Sequence, residues 1–267
     1  MKKTILITGA TDGIGLETAK TLASEGHTLL IHGRNQAKLD AVTDTLKSLG
    51  GVGVVESYVA DLSSLSDVEA LAKAVLANHD HIDVLLNNAG VFKMNDASTP
   101  LGIDARFVVN TISPYLLTKL LLPAMDANSR VVNLSSAAQA PVNLNVLEGK
   151  EQIGDDFGAY AQSKLAITMW TRLWAEKLGS NGPVFIAVNP GSMLASKMVQ
   201  EGFGVAGHDL SIGSGILVRA SISDEFANAS GKYWDNDSKK FSPPHPEGLN
   251  DAKAQAVVET IERIIAN

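Results

Sequence analysis

TILITGATDGIG, residues 4–15, joins a short β-branched run to three glycines, Gly9, Gly13 and Gly15. A glycine at a strand end permits a tight turn, a second lets backbone approach a diphosphate, and a third lets the next helix pack against the strand. The helix begins near Ile14, so its free N–H groups and dipole face an anion. The G-x-x-x-G-x-G spacing differs from the more familiar G-x-G-x-x-G. Position therefore carries the reading, because the cluster follows the first strand and opens a helix. Gly9, Thr11, Asp12, Gly13, Ile14 and Gly15 are the first binding candidates.

Similar runs recur as TLLIH (28–32), VGVVESYV (52–59), DVLLN (83–87), RVVNL (130–134) and VFIAV (184–188). Between them lie stretches of helical period: Leu39, Val42, Leu46 and Leu49 share one face, as do Val68, Leu71, Val75 and Leu76. Strand and helix in alternation predict an α/β fold, a doubly wound parallel β-sheet with helices on both faces, as a single domain over residues 1–267. The nearly continuous apolar strands agree, since parallel strands are buried on both sides. Residues 137–157 and 200–215 break the rhythm and are rich in Gly, Asn and Asp; substrate loops are expected at 137–157 and 192–215. Residues 236–250 look like a Pro-rich surface connection, and residues 251–266 like a last amphipathic helix with Val257, Val258, Ile261, Ile264 and Ile265 on one side.

A net charge of −7 without basic runs argues against nucleic acid and against an anionic membrane as partners. The chain has no cysteine, which excludes disulfides, thiolate metal sites and a cysteine nucleophile. The apolar run before Gly9 is too short for a secretory signal, and no uninterrupted apolar stretch reaches the ~18 residues of a membrane span. The expectation is a soluble, cytoplasmic protein. None of the 6 histidines has metal-ligand spacing, so no metal is expected.

The second strand ends in IHGRN, residues 31–35. In nicotinamide-binding folds an acid at this strand end bonds the ribose 2′-hydroxyl, and an arginine pairs a 2′-phosphate. Gly33 leaves no acid, and Arg34 offers a fork of donors, which favours NADP with NAD as the alternative; Asp12 is a nearby carboxylate on the other side of the scale. Tyrosine four places before lysine occurs twice, as YLLTK (115–119) and YAQSK (160–164). Both pairs share a helix face, so the pattern alone does not choose between them.

TGATDGIG, ADL (60–62), NNAG (87–90), Asn110, the NLSS strand end (133–136), YAQSK and NPG (189–191) stand in the order of the short-chain dehydrogenase/reductase family, which the chain resembles from Lys3 to about residue 235. The long segment between Ser136 and Tyr160 and the later SGKYW (230–234) look most like its retinol-dehydrogenase-like branch. The resemblance implies a Rossmann-type fold and NAD(P)-dependent oxidoreduction. It places Asp61 and Leu62 beside the adenine, Asn88, Ala89 and Gly90 along the cofactor, and Pro190 and Gly191 near the nicotinamide. Asn110 would hold a proton-relay water. The family's Thr or Ser that bonds the carboxamide falls on Ala195 here, leaving Ser192 or Ser196 as substitutes.

Location separates the two tyrosines. In an open parallel sheet the ligand lies beyond the C-terminal strand ends, and Tyr160 opens a helix entered from the Ser136 strand end. Tyr115 follows Asn110 by five residues on one helix, turned from it by roughly 140°, among Leu116, Leu117, Leu120, Leu121 and Leu122. By resemblance Tyr160 is the general acid or base, Lys164 lowers its pKa and holds the ribose, and Ser136, preferred over Ser135, holds the carbonyl oxygen. An ammonium about 5.5 Å from the phenol, at an effective dielectric of about 20, is worth about 3 kcal/mol.

The expected function is an NADP-dependent oxidoreductase that moves a hydride between cofactor and a carbonyl or alcohol substrate; the alternative is an NADP sensor without turnover. Phe92, Met94, Leu144, Val146, Phe157, Met193, Leu194 and Met198 are expected around the pocket, so an apolar or aromatic substrate is anticipated. The leucine-rich helix and the helix after Tyr160 suggest a homodimer or homotetramer.

Overall fold

Alternate side chains of the short apolar runs bury into two separate cores, as a parallel sheet covered on both faces requires. The computed structural model describes residues 1–195, 200, 204 and 207–266. Leu6, Leu30, Leu85 and Val131 belong to one core, and Ile5, Ile7, Leu29, Ile31, Val84, Leu86 and Val132 to the other. Register keeps like with like: Leu6 lies opposite Leu30 and Leu85, and Val131 opposite Leu85 and Phe185.

Strands β1 (Thr4–Ile7), β2 (Thr28–Gly33), β3 (Val55–Val59), β4 (Val84–Asn87), β5 (Arg130–Leu134), β6 (Val184–Asn189), β7 (Lys232–Asp235) and β8 (Lys240–Ser242) form one sheet in the order β3-β2-β1-β4-β5-β6-β7-β8. All pair in parallel except β8, which runs antiparallel to β7. Chain order reverses between β1 and β4, so a crevice opens beyond their C-terminal ends.

Helices α1 (Gly13–Ser24), α2 (Gln36–Lys47) and Leu210–Ile222 supply Leu22, Leu39, Val42, Ile216 and Leu217 to one face. Helices α3 (Leu65–Asn78), α4 (Ala105–Phe107), α5 (Ser113–Leu121), α6 (Leu144–Leu147), α7 (Asp156–Leu178) and the C-terminal helix Asp251–Ile265 cover the other. The expected face of that last helix holds: Val257 and Ile261 are buried, with Val258, Ile264 and Ile265 packed beside them.

Several boundaries differ from expectation. The supposed Pro-rich connection contains β8, whose Phe241 meets Trp234 edge-on at 4.9 Å, so an aromatic contact rather than periodicity fixes a three-residue strand. Helix Leu210–Ile222 takes over the end of the second expected loop, because Ile216, Leu217 and Ala220 pack against the sheet despite Gly213 and Gly215. The ends of the preceding segment meet, with Ala195 N donating to His208 O and His208 N to Met193 O, both at 2.6 Å. The first expected loop holds α6, and Tyr160 lies in the second turn of α7 rather than at its start. The run Ala105–Ala124 is long and apolar enough to cross a bilayer, against the expectation that none is; 78% of that window is buried inside the protein, where it serves as a core helix.

Candidate active site

The glycine turn is tight because its neighbours leave no room for side chains. Gly9 has φ +66°, and a Cβ there would sit 2.9 Å from Ala89 Cα; at Gly15 it would sit 2.4 Å from Asn88 Nδ2. Asn88 braces this turn across the crevice, donating through Nδ2 to Thr8 O at 2.8 Å and Gly9 O at 3.1 Å. The Thr8 hydroxyl in return accepts the N–H groups of Asn88 and Ala89, each at 3.0 Å. Asn87 turns the opposite way, to Asn133 Oδ1 at 2.8 Å, and ties β4 to β5. Within NNAG, then, the first asparagine supports the sheet, and the second supports the turn and lines the crevice.

His32, not singled out in the sequence, completes the brace. Its Nδ1 accepts the Gly9 N–H at 3.3 Å, and Nε2 bonds Ala60 O at 3.1 Å, which fixes a neutral ring with the proton on Nε2. Burial holds its pKa down to about 4, so that neutral form persists at physiological pH.

Arg34 and Lys38 stand exposed at one end of the cavity, and among the described residues neither side chain has an ion-pair or hydrogen-bond partner. Lys38 was missed, although its place four residues after Arg34 on the first turn of α2 is a readable signal. A Cβ on Gly33 would meet Thr11 Cγ2 at 2.6 Å, so an acid at this strand end would require Thr11 to move. Asp12 is not a ribose acid in waiting: its Oδ1 accepts the Gly13 N–H at 2.7 Å and caps α1. Asp61 turns its Oδ1 to Ser63, and Leu62 O accepts from Ser113 Oγ at 2.6 Å.

At the other end α7 enters beside the end of β5. Both Ser135 and Ser136 line the cavity, but Ser135 is buried and shares its hydroxyl with Lys164 O at 3.1 Å and Thr168 Oγ1 at 2.7 Å, whereas Ser136 is half-buried. Ser136 Oγ accepts the Ala138 N–H at 3.1 Å, and its hydroxyl acts to lower the Tyr160 phenol. Lys164 Nζ lies 5.5 Å from the Tyr160 ring centre but donates to Leu134 O at 2.8 Å.

That arrangement corrects the expected electrostatics. Burial pushes the Tyr160 phenol above its ordinary value, and only the Ser136 hydrogen bond pulls the other way. Burial likewise lowers Lys164 to about 7. Desolvation dominates at both groups, and the ammonium is aimed at a backbone carbonyl rather than at the phenol.

Asn110 lies in a single π turn, Val108–Ile112, a winding that recurs inside α-helices at functional sites. Its Oδ1 accepts the Val91 N–H at 2.8 Å, and its Nδ2 donates to Val91 O and Ser163 Oγ, both at 3.0 Å. The side chain does not line the cavity. It clamps the segment after β4 to α7.

Pro190 and Gly191 line the cavity, with Gly191 at φ +120°. Ser192 is no free substitute for the missing threonine, since its N and Oγ donate to Asp237 at 2.8 and 2.6 Å. Ala195 offers only backbone there, and Ser196 lies outside the described residues. Of the expected rim, Phe92, Phe157, Met193 and Leu194 line the cavity. Leu144 and Val146 instead pack into the core through α6, Met94 does not line the cavity, and Met198 lies outside the described residues.

Tyr115 is far from all of this. It is 1% exposed, stacks edge-on to Trp170 and Trp174, and donates to Glu262 Oε1 at 2.6 Å. Every cofactor candidate, with Ser136, Tyr160 and Lys164, lines one cavity of about 650 Å³.

Comparison with known proteins agrees with this geometry. The sequence profile described as short chain dehydrogenase matches residues 3–203. The chain belongs to the short-chain dehydrogenase family. It falls in the retinol-dehydrogenase-like branch: human retinol dehydrogenase 13 is 30% identical over 265 residues, covering 92% of this chain and 80% of that protein. Mouse retinol dehydrogenase 12 is 32% identical over 251 residues, covering 90% and 79%. Among solved structures, an uncharacterised protein of Mycobacterium paratuberculosis superposes with TM-score 0.82 at 27% identity, covering 99% and 94%. A short-chain dehydrogenase of Escherichia coli CFT073 complexed with NADPH gives 0.70 at 25% identity, covering 88% and 96%. As a short-chain dehydrogenase the chain is an NAD(P)-dependent oxidoreductase with a Rossmann-type domain.

A nicotinamide dinucleotide suits the residues present. The turn holds Gly9 and Gly15 where an added Cβ would strike Ala89 or Asn88, and Gly13 at a positive φ, and the start of α1 faces it. Arg34 and Lys38, unpartnered among the described residues, stand at one end of the same cavity.

Proposed function

We propose that this short-chain dehydrogenase reduces an apolar or aromatic carbonyl compound with NADPH, and oxidises the matching alcohol in reverse. The observation that carries the reading is the single cavity that has Arg34 and Lys38 at one end and Ser136, Tyr160 and Lys164 at the other. When bound, the nicotinamide supplies or accepts the hydride. Tyr160 gives a proton to the carbonyl oxygen or removes one from the alcohol. Ser136 Oγ donates to the same oxygen and stabilises the charge that develops there. Lys164, its Nζ 5.5 Å from the Tyr160 ring centre, places positive charge beside the phenolate when it is protonated.

Phe92 supports the apolar preference, because its ring stands edge-on to Tyr160 at 5.1 Å and to Phe157 at 6.4 Å. The proposal extends to a homodimer or homotetramer, with the groove of about 570 Å³ between α7 and the C-terminal helix, lined by Leu173, Trp174 and Val258 and by Glu176, Lys177, Asp251 and Gln255, as the candidate surface. It extends also to a cytoplasmic location, which a cysteine-free chain suits.

The test is consumption of NADPH and NADH against a carbonyl panel, with Tyr160→Phe and Tyr115→Phe in parallel. Tyr160→Phe is expected to lose at least about a hundredfold in kcat, and Tyr115→Phe to keep kcat within a few-fold. The reverse pattern would overturn the assignment. Tight NADPH binding with no turnover on any carbonyl would favour the sensor.

A further inference from the structure

The Ser136 backbone carbonyl is held at both of its lone pairs. Tyr233, on β7, donates its hydroxyl to it at 3.0 Å, and Gln139 Nε2 donates at 2.9 Å. Neither donor is loose: Tyr233 is 7% exposed, and Gln139 Oε1 accepts the His245 N–H at 2.9 Å. With that carbonyl fixed, the peptide plane after Ser136 cannot rotate. The hydroxyl accepts the Ala138 N–H on the wall of the cavity that Tyr160 also lines.

We propose that Tyr233 is a positioning residue for the reaction: its hydroxyl locks the Ser136 backbone and so aims Ser136 Oγ at the Tyr160 phenol. The proposal rests on the reading of Ser136 and Tyr160 as the reacting pair. Tyr233 is not a second acid, because burial and the nearby carboxylates of Asp235 and Asp237 push its phenol well above the ordinary range, and its proton is committed to the carbonyl. The ionisable groups that bear on this arrangement are Lys164 from α7, Tyr233 from β7, and Asp235 and Asp237, which act on Tyr233.

Tyr233→Phe keeps the ring and removes only the hydroxyl. With NADPH and the best carbonyl of the panel, kcat is expected to fall about tenfold while the cofactor KM stays within about twofold. The midpoint of the pH profile for alcohol oxidation should rise, since the Ser136 bond is what lowers the Tyr160 phenol. In a Ser136→Ala background the same substitution should cost less than about twofold, and Gln139→Leu should repeat the pattern as a second variant. No cost in the wild-type background, or an equal cost in both, overturns the proposal.

Crystal structures of wild type and Tyr233→Phe give a readout that needs no turnover. Ser136 Oγ should shift relative to the Tyr160 phenol in the variant, and an unmoved Oγ refutes the proposal even if the enzyme is active. Failure of every carbonyl to turn over would instead sink the functional reading alone.

Discussion

Lys164 is asked to do two things that conflict, to be buried and to be charged. Its side chain is 3% exposed, and burial lowers its pKa from 10.5 to about 7. Between those values the unfolded chain binds a proton that the folded chain has released, so stability rises with pH across this window and the penalty is fully present below it. From pH 7 to pH 9 the effect of this one group is about 2–3 kcal/mol. Lys164→Met should therefore be inactive yet more stable than wild type at pH 7, and urea denaturation at both pH values should show the pH slope reduced in the variant. A variant less stable at pH 7 with an unchanged slope would show that the ammonium is not desolvated as described. The identity of Tyr160 and Lys164 was legible from spacing and place in the chain, but the direction of their pKa values was not. That direction depends on burial and on Leu134 O, a backbone atom no residue pattern announces. His32 and Tyr233 escaped for the same reason, since each acts through a backbone partner distant in sequence.

At the scale of elements, β1 to β6 were legible because each carries an apolar run that two cores demand. The hairpin of β7 and β8 was not, being short, partly polar and set at the sheet edge. Yet this hairpin grips the Pro190 to Ser192 end of the cavity. Asp237, in its turn, accepts from Ser192 N, Ser192 Oγ and Asn189 Nδ2 at 2.8, 2.6 and 2.9 Å, and Asn236 Nδ2 donates to Pro190 O at 2.9 Å. Asp237→Ala removes three acceptor contacts at once and frees the Pro190 to Ser192 segment. Each bond to a carboxylate is worth about 1.5–3 kcal/mol when buried and less here, where Asp237 is exposed. We expect NADPH binding to weaken roughly tenfold in calorimetry, with the melting point lowered by only a few degrees. Asp237→Asn, which keeps one acceptor, should recover part of the affinity. Equal losses in both variants would mean that charge, not the grip on the loop, is what the position supplies.

Over the whole molecule, two electrostatic influences act on an incoming anionic cofactor with opposite sign. The net charge of −7 repels it over long range, while Arg34 and Lys38 attract it at the cavity mouth. The screening length is about 30 Å at 0.01 M salt and about 3 Å at 1 M, so salt removes the distant repulsion before the contact attraction. Affinity of the wild type for NADPH should thus change little at first and then fall as salt rises from about 0.01 M to about 1 M. In the double variant Arg34→Ala, Lys38→Ala the attraction is gone, and only the repulsion is left to screen. Its NADPH affinity should start at least about a hundredfold weaker, the loss expected for two charge-assisted contacts, and should improve with salt. NADH, which lacks the 2′-phosphate, should bind wild type and variant within a few-fold of each other. Fluorescence titration of both cofactors across the salt series measures all of these. If NADPH and NADH lost affinity equally in the variant, the two cations would be serving the shared diphosphate or the global field, and the selection of NADP would have to come from elsewhere in the cavity.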